Sequence, residues 1–151
     1  MVIHDFALVY LDDKFISSFN RSDAIDHRFS VLCEKQCKLR IFVEAMGHIN
    51  FDHGMENDYK GLITFSAGEY QLTWNIYTID VDKKILDWRM LSGKPFPSLS
   101  KASFNLTSVG DTYINVKNYQ KGYVWVNGRN LGRYWNIGPS QKLFCPGVWL
   151  K

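Results

Sequence analysis

Between Lys121 and Trp135 the chain reads K-G-Y-V-W-V-N-G-R-N-L-G-R-Y-W, with four large aromatic side chains in fifteen residues. Flat rings stack on apolar faces, and Arg and Asn side chains hydrogen-bond hydroxyls. Tyr123, Trp125, Arg133 and Trp135 therefore have the composition of a sugar-binding face. The same residues are also what a β-sandwich packs: a planar guanidinium stacked on Trp135 and tied to backbone carbonyls is a common structural device. Trp149, beside Pro146-Gly147, reads most simply as a core or interface anchor. A second set of chemically capable groups, His48, Asp52, His53, Glu56 and Asp58, is the densest run of titratable residues. A divalent ion or an acid–base pair would use such groups, yet their irregular spacing fits a solvated polar loop ahead of a strand better. Asp58-Tyr59-Lys60-Gly61 reads as a turn, with Lys60 able to pair with a nearby carboxylate.

Strands must position all of these. Phe6 to Leu11, Leu39 to Glu44, Gly61 to Phe65, Tyr70 to Ile76, Thr112 to Val116 and Tyr123 to Val126 are short and rich in β-branched or aromatic residues. Gly, Asn, Asp or Pro punctuates most of them. No stretch sustains a helical period; Asp80 to Met90 comes nearest and is short. The expected class is all-β.

Self-comparison exposes a repeat. A-L-V-Y-L-D-D-K-F-I-S-S-F (Ala7 to Phe19) aligns without gaps on G-Y-V-W-V-N-G-R-N-L-G-R-Y (Gly122 to Tyr134). Asp12-Asp13 falls on Asn127-Gly128, and Asn-Gly is the strongest two-residue hairpin signal. Both copies are expected to be hairpins of one design. Alternation assigns Ala7, Val9, Leu11, Val124 and Val126 to a core face, and Leu8, Tyr10, Tyr123 and Trp125 to the opposite face. Because that opposite face recurs in both copies, domain packing is favoured over sugar binding there. The strong strand Leu39 to Glu44 has no counterpart after the second hairpin. The expectation is two related sandwiches, residues 1–68 and 69–151, the first lacking strands before Met1 and the second its closing strand.

Composition removes several function classes. The 151 residues carry a net charge of only +3, with Lys and Arg spread along the chain, which is no nucleic-acid footprint. No apolar run is long enough to span a bilayer, and no signal peptide is visible at the N-terminus. Three cysteines, Cys33, Cys37 and Cys145, cannot form a complete disulfide framework and are read as free or locally paired thiols. No metal site and no cofactor is expected. Two N-x-[ST] tripeptides, at Asn20 and Asn105, matter only in a eukaryotic secretory protein.

The stretch Gly122 to Leu150, with V-E-A-M-G-H-I-N-F (Val43 to Phe51), N-D-Y-K-G-L (Asn57 to Leu62) and I-H-D-F-A (Ile3 to Ala7), resembles the C-terminal region of family 35 glycoside hydrolases, the β-galactosidases. The resemblance runs over almost the whole chain in the family's order. It implies two galactose-binding-like jelly-roll sandwiches packed against an upstream TIM barrel of the same parent protein. It further implies that the barrel holds the two catalytic glutamates of a retaining exo-enzyme. No segment of this chain matches either catalytic motif, so no catalytic residue is assigned here and the chain alone is expected to be inactive. The resemblance also implies that the aromatic closing M-G-x-x-N-[YF], here Phe51, leans towards the galactose pocket while Asn50 helps fix the loop. Relatives with Tyr at this position carry a hydroxyl that Phe51 lacks. His48 stands where an Arg is usual, and Asp52-His53 where small residues are. The expected partners are the barrel and a terminal β-galactoside, with no nucleic acid and no membrane, in a lysosomal, secreted or periplasmic parent. Two alternatives remain: a lectin-like module binding galactosides through the aromatic hairpin, and a purely structural or oligomerisation domain.

Overall fold

Asp12-Asp13 and Asn127-Gly128 lie in the left-handed backbone region, with φ of 46° and 69° in the first pair and 50° and 78° in the second. Two successive positive-φ residues are the signature of a type I′ turn, whose twist matches that of paired strands. The computed structural model describes residues 1–79 and 98–151. The strands in chain order are β1 (Val2–His4), β2 (Phe6–Leu11), β3 (Lys14–Asn20), β4 (Leu39–Glu44), β5 (Gly61–Thr64), β6 (Thr112–Asn115), β7 (Lys121–Val126), β8 (Arg129–Trp135) and β9 (Lys142–Cys145). No α-helix occurs among the described residues; 3₁₀ turns span His53–Asn57 and Gly147–Trp149. The protein is all-β.

The two hairpins, β2–β3 and β7–β8, share more than a turn. Phe6 faces Asn20 and Ala7 faces Phe19 in the first, as Lys121 faces Trp135 and Gly122 faces Tyr134 in the second. Each ladder is interrupted by a bulge at the same point, between Val9 and Tyr10 and between Val124 and Trp125. A bulge kinks and twists a ribbon locally, so the copies agree in shape as well as in pattern. One further backbone bond extends both: Arg21 N–H donates to Asp5 O at 2.6 Å, and Asn136 N–H to Gln120 O at 2.7 Å.

The chain divides into two compact units, Met1–Asn75 and Ile76–Lys151. In the first, β2 is the middle strand of the antiparallel sheet β3-β2-β4, and β1 pairs with β5 in a separate ribbon. Ile3, Ala7, Leu8 and Val9 form the buried core. Leu8 was expected on the face opposite Ala7 and Val9, yet it is only 2% exposed. A central strand covered on both faces loses the in–out alternation that a half-buried strand keeps. A string of rings runs outward from this core: Phe19 to Phe29 at 5.9 Å, Phe29 to Phe65 at 6.2 Å and Phe65 to Trp74 at 5.3 Å. Cys33 and Cys37 form a disulfide, and Cys145 is free and buried.

Tyr70 to Ile76, expected as a strand, joins no sheet among the described residues. β propensity is realised only against a ladder neighbour, and here Trp74 is held through its ring contact with Phe65 instead. The segment Asp80 to Met90 lies outside the described residues.

In the second unit β6 pairs with β9, and Val116, Leu143, Cys145 and Leu150 are buried. Among the described residues β7 has β8 as its one ladder neighbour, whereas β2 is flanked on both sides. Val124 and Val126 are half-buried, like Tyr123 and Trp125, rather than forming a core face. The turn is pinned by Asn127, whose Nδ2 donates to Trp149 O at 2.7 Å, and by Arg129, which lies 5.2 Å over the Trp149 ring.

Two glycines in this unit separate conformational strain from steric clash. A Cβ on Gly128 would meet nothing within 4 Å, whereas on Gly147 it would lie 2.6 Å from the Gly110 carbonyl carbon. Gly128→Ala should therefore destabilise by about 1 kcal/mol, the cost of placing an L side chain at positive φ. Gly147→Ala should cost about 2–3 kcal/mol through backbone displacement. Denaturant midpoints of the two variants provide the check, and equal midpoints would refute the distinction.

Candidate functional site

Asp5, at the step from β1 to β2, and Asp58, just ahead of β5, are carboxylates only 7% and 5% exposed. Taking a charge out of water costs several kcal/mol, so each needs a full set of partners. Arg21, immediately after β3, supplies one set: its Nη1 donates to Asp5 Oδ1 at 3.1 Å and to Asp58 Oδ1 at 2.9 Å. Lys60 supplies the other, with Nζ 3.0 Å from Asp5 Oδ2 and 3.1 Å from Asp58 Oδ1. Two acids and two bases give a neutral quartet. Lys60 thus pairs with carboxylates as its place in the sequence suggested.

The remaining lone pairs turn towards one loop. Asp5 Oδ2 accepts from the Met46 N–H at 2.7 Å, and Asp58 Oδ2 from the Ile49 N–H at 3.0 Å. The loop leaving β4 is therefore held by two backbone bonds on one side of Phe51 and by Asp58 itself on the other. Between these anchors Asp52, at φ 75°, accepts from the His53 N–H and opens the short 3₁₀ turn. Phe51 stands at the crest with 82% of its surface exposed, and Asn50 beside it is exposed too. Ile49, Met55 and Tyr59 add further exposed apolar surface.

The electrostatics follow from these contacts. The Arg21 guanidinium and the Ile49 N–H hold the Asp58 carboxyl far below the ordinary carboxylate range; burial opposes them, and Lys60 adds to the lowering. At Asp5 burial is the largest single influence and raises the value, but Met46 N–H, Lys60 and Arg21 together outweigh it and leave the group lowered. Arg21 is pushed up in turn, chiefly by Asp58 and then by Asp5.

The five titratable groups of this stretch do not converge on one point. Asp58 is buried and ion-paired rather than solvated, because the two cations neutralise it. His48 Nδ1 sits 3.5 Å from Asp58 Oδ2, while Asp52 is engaged as the cap. Among the described residues no group of three or more His, Cys, Asp or Glu side chains could hold a metal ion.

Tyr123, Trp125, Arg133 and Trp135 do share one face of the β7–β8 ribbon, since Tyr123 faces Arg133 and Lys121 faces Trp135 across the ladder. Arg133 spends its guanidinium on Tyr123: Nη2 donates to the phenol oxygen at 2.8 Å and Nε at 3.2 Å. Arg133 also lies 5.3 Å from the Tyr123 ring centre, and Lys121 lies 5.2 Å over the Trp135 ring. All four residues are half-buried. A cleft of about 480 Å³ at the turn end of β2–β3, lined by Leu11, Asp12, Lys14, Ile16 and residues 30–32, contains no aromatic ring. It therefore lacks the stacking platform a sugar needs.

Asp5 and Arg21 escaped the sequence reading as site residues. The repeat held the signal, because their counterparts Gln120 and Asn136 are neutral amides at hairpin positions that make the same backbone bond.

Residues 1–80 match the family model for the β-galactosidase first all-beta domain, and residues 97–151 match that for the β-galactosidase galactose-binding domain. The chain belongs to the β-galactosidase family. Beta-galactosidase-1-like protein 3 of Rattus norvegicus is 35% identical over 98% of the chain and 25% of its own length. The human protein of that name is 35% identical over 97% of the chain and 24% of its length. Beta-galactosidase 1 of Dictyostelium discoideum is 30% identical over 98% of the chain and 26% of its length. The chain thus spans about a quarter of the curated relatives it matches, and it comprises accessory β-domains of this glycoside hydrolase family.

Lowered carboxyls fix the sign of an acid response. An unfolded Asp titrates near 3.9, so between that value and the folded ones the unfolded chain binds more protons. The quartet's contribution is full above about pH 4 and is lost as pH falls through the folded values. Thermal unfolding followed on the Leu8 and Val9 amide signals should therefore lose stability below pH 4. Asp58→Asn should start less stable and fall less steeply. Parallel slopes for the two proteins would overturn this linkage.

Proposed function

We propose that this chain is the non-catalytic accessory region of a longer β-galactosidase. In this reading it packs on a catalytic barrel and lines one side of the galactose pocket with Phe51, assisted by Asn50. The observation that carries the reading is the exposed Phe51 ring at the crest of a loop anchored on both sides. A Phe side chain gains roughly 2 kcal/mol on burial, so a ring held out in water by a fixed loop is arranged for a partner surface or ligand. A ring offers the apolar face of galactose a stacking platform and no hydrogen bond. Hydrolysis of terminal β-galactosides belongs, in this proposal, to barrel carboxylates outside this chain. Residues 1–68 and 69–151 are proposed as two related galactose-binding-like sandwiches, with the repeated hairpin and its matched bulge as support.

In full-length enzyme Phe51→Ala should lower kcat/KM for a terminal β-galactoside by about 10-fold or more. Unchanged kinetics would remove Phe51 from the pocket.

A second reading has its own support: residues 97–151 match a family model described as galactose-binding, and four sugar-compatible residues share one face there. Against it, Arg133 is already committed to Tyr123. Calorimetric titration of the chain with lactose separates the two. Heats should stay flat into the millimolar range; binding tighter than about 1 mM that is lost on Trp125→Ala would establish the lectin-like alternative.

A further inference from the structure

We propose that Asp5, Arg21, Asp58 and Lys60 are positioning residues, a buried ion clamp that fixes the loop from Met46 to Asp58 and thereby sets where Phe51 stands. The use of that position rests on the pocket reading above. The clamp itself rests on geometry alone.

The bonding pattern divides evenly between scaffold and loop. Arg21 and Lys60 come from the ends of β3 and β5, and each bridges both carboxylates. The outer lone pairs of those carboxylates then take the Met46 and Ile49 amides, at 2.7 and 3.0 Å. Asp58 is both a clamp member and the far end of the loop. Both ends of the excursion that carries Phe51 therefore close on the same four charges. A lateral shift of the loop would strip a buried carboxylate of a donor, which is a steep penalty.

The repeat shows what the clamp is not for. At the equivalent hairpin positions the second unit has Gln120 and Asn136, and the closing backbone bond survives at 2.7 Å without any charge. The hairpin design does not require ions. Buried ion quartets are also poor sources of net stability, since well-packed apolar residues of the same volume often do as well. What directional charged hydrogen bonds supply better than apolar packing is a unique loop position. A displacement of about 1 Å at a substrate-positioning group can cost as much as 100-fold in rate.

The test combines amide exchange with a double-mutant cycle in the full-length enzyme. Lys60→Met and Arg21→Gln are each made with Phe51 and with Phe51→Ala. Arg21 is the milder site, its side chain being 43% exposed, and serves should Lys60→Met fail to fold. Expected are faster exchange at Met46 and Ile49 and a loss of about fivefold in kcat/KM when Phe51 is present. In the Phe51→Ala background the further loss should be under about twofold, because the ring that the clamp chiefly positions is then absent. Equal losses in both backgrounds would show an unrelated structural effect and overturn the positioning role. Unchanged exchange at Met46 and Ile49 overturns the clamp whatever Phe51 does. Faster exchange together with a kinetically silent Phe51→Ala upholds the clamp and overturns the pocket reading.

Discussion

Two carboxylates removed from water within one small β unit impose the constraint on which the anchoring of its Phe51 loop depends. Asp5 and Asp58 are almost fully buried, and each is met by both cations, Arg21 and Lys60. The solution draws Arg21 from the end of β3, Lys60 from the start of β5 and two amides from the intervening loop into one neutral knot. Segments about fifty residues apart in sequence are thereby locked together, and β1, β3, β5 and the Phe51 loop acquire fixed relative positions. The apolar core of Ile3, Ala7, Leu8 and Val9 is non-directional and could not single out that arrangement.

The repeated hairpin shows how one backbone design serves two ends. Turn, register, bulge and closing bond coincide between β2–β3 and β7–β8, so these belong to the scaffold. The differences lie in what each copy adds. The first gains a flanking strand, β4, and buries its strand on both faces. It then exploits its closing residues, Asp5 and Arg21, as charge carriers. The second leaves both faces half-covered and invests in its turn, where Asn127 and Arg129 tie the hairpin to Trp149. Here Arg133 donates across the ladder to the Tyr123 hydroxyl.

Most of the architecture was legible because it is local. Asp12-Asp13 and Asn127-Gly128 announce their turns, and the strands Phe6–Leu11 and Leu39–Glu44 fall where composition puts them. What periodicity missed is non-local. Leu8 is buried alongside Ala7 and Val9, so β2 keeps no in–out alternation, and Tyr70 to Ile76 has strand-like residues but no ladder partner among the described residues. The titratable stretch from His48 to Asp58 looked like a solvated loop because Asp58's neutralising partners sit elsewhere in the chain. Lys60 was near enough to be anticipated as a pairing residue, whereas Arg21 and Asp5, 37 and 53 residues away, were not. Charge pairing across such separations leaves no periodic trace.

That asymmetry bears on how function is distributed in this fold. Features of the hairpin scaffold repeat, and the charged residues of the quartet break the repeat. The hairpin register and bulge, present in both copies, belong to the first kind. Asp5 and Arg21 belong to the second: they occupy hairpin positions where the other copy keeps the neutral amides Gln120 and Asn136. A loop that projects an apolar ring into water through a buried ionic anchor is costly twice over, in desolvation at its base and in exposed apolar surface at its crest. Neither cost improves the folding of the unit that bears it. Both are accounted for together if the crest is completed by something outside the chain, and a rigid base is the condition for completing it in one geometry.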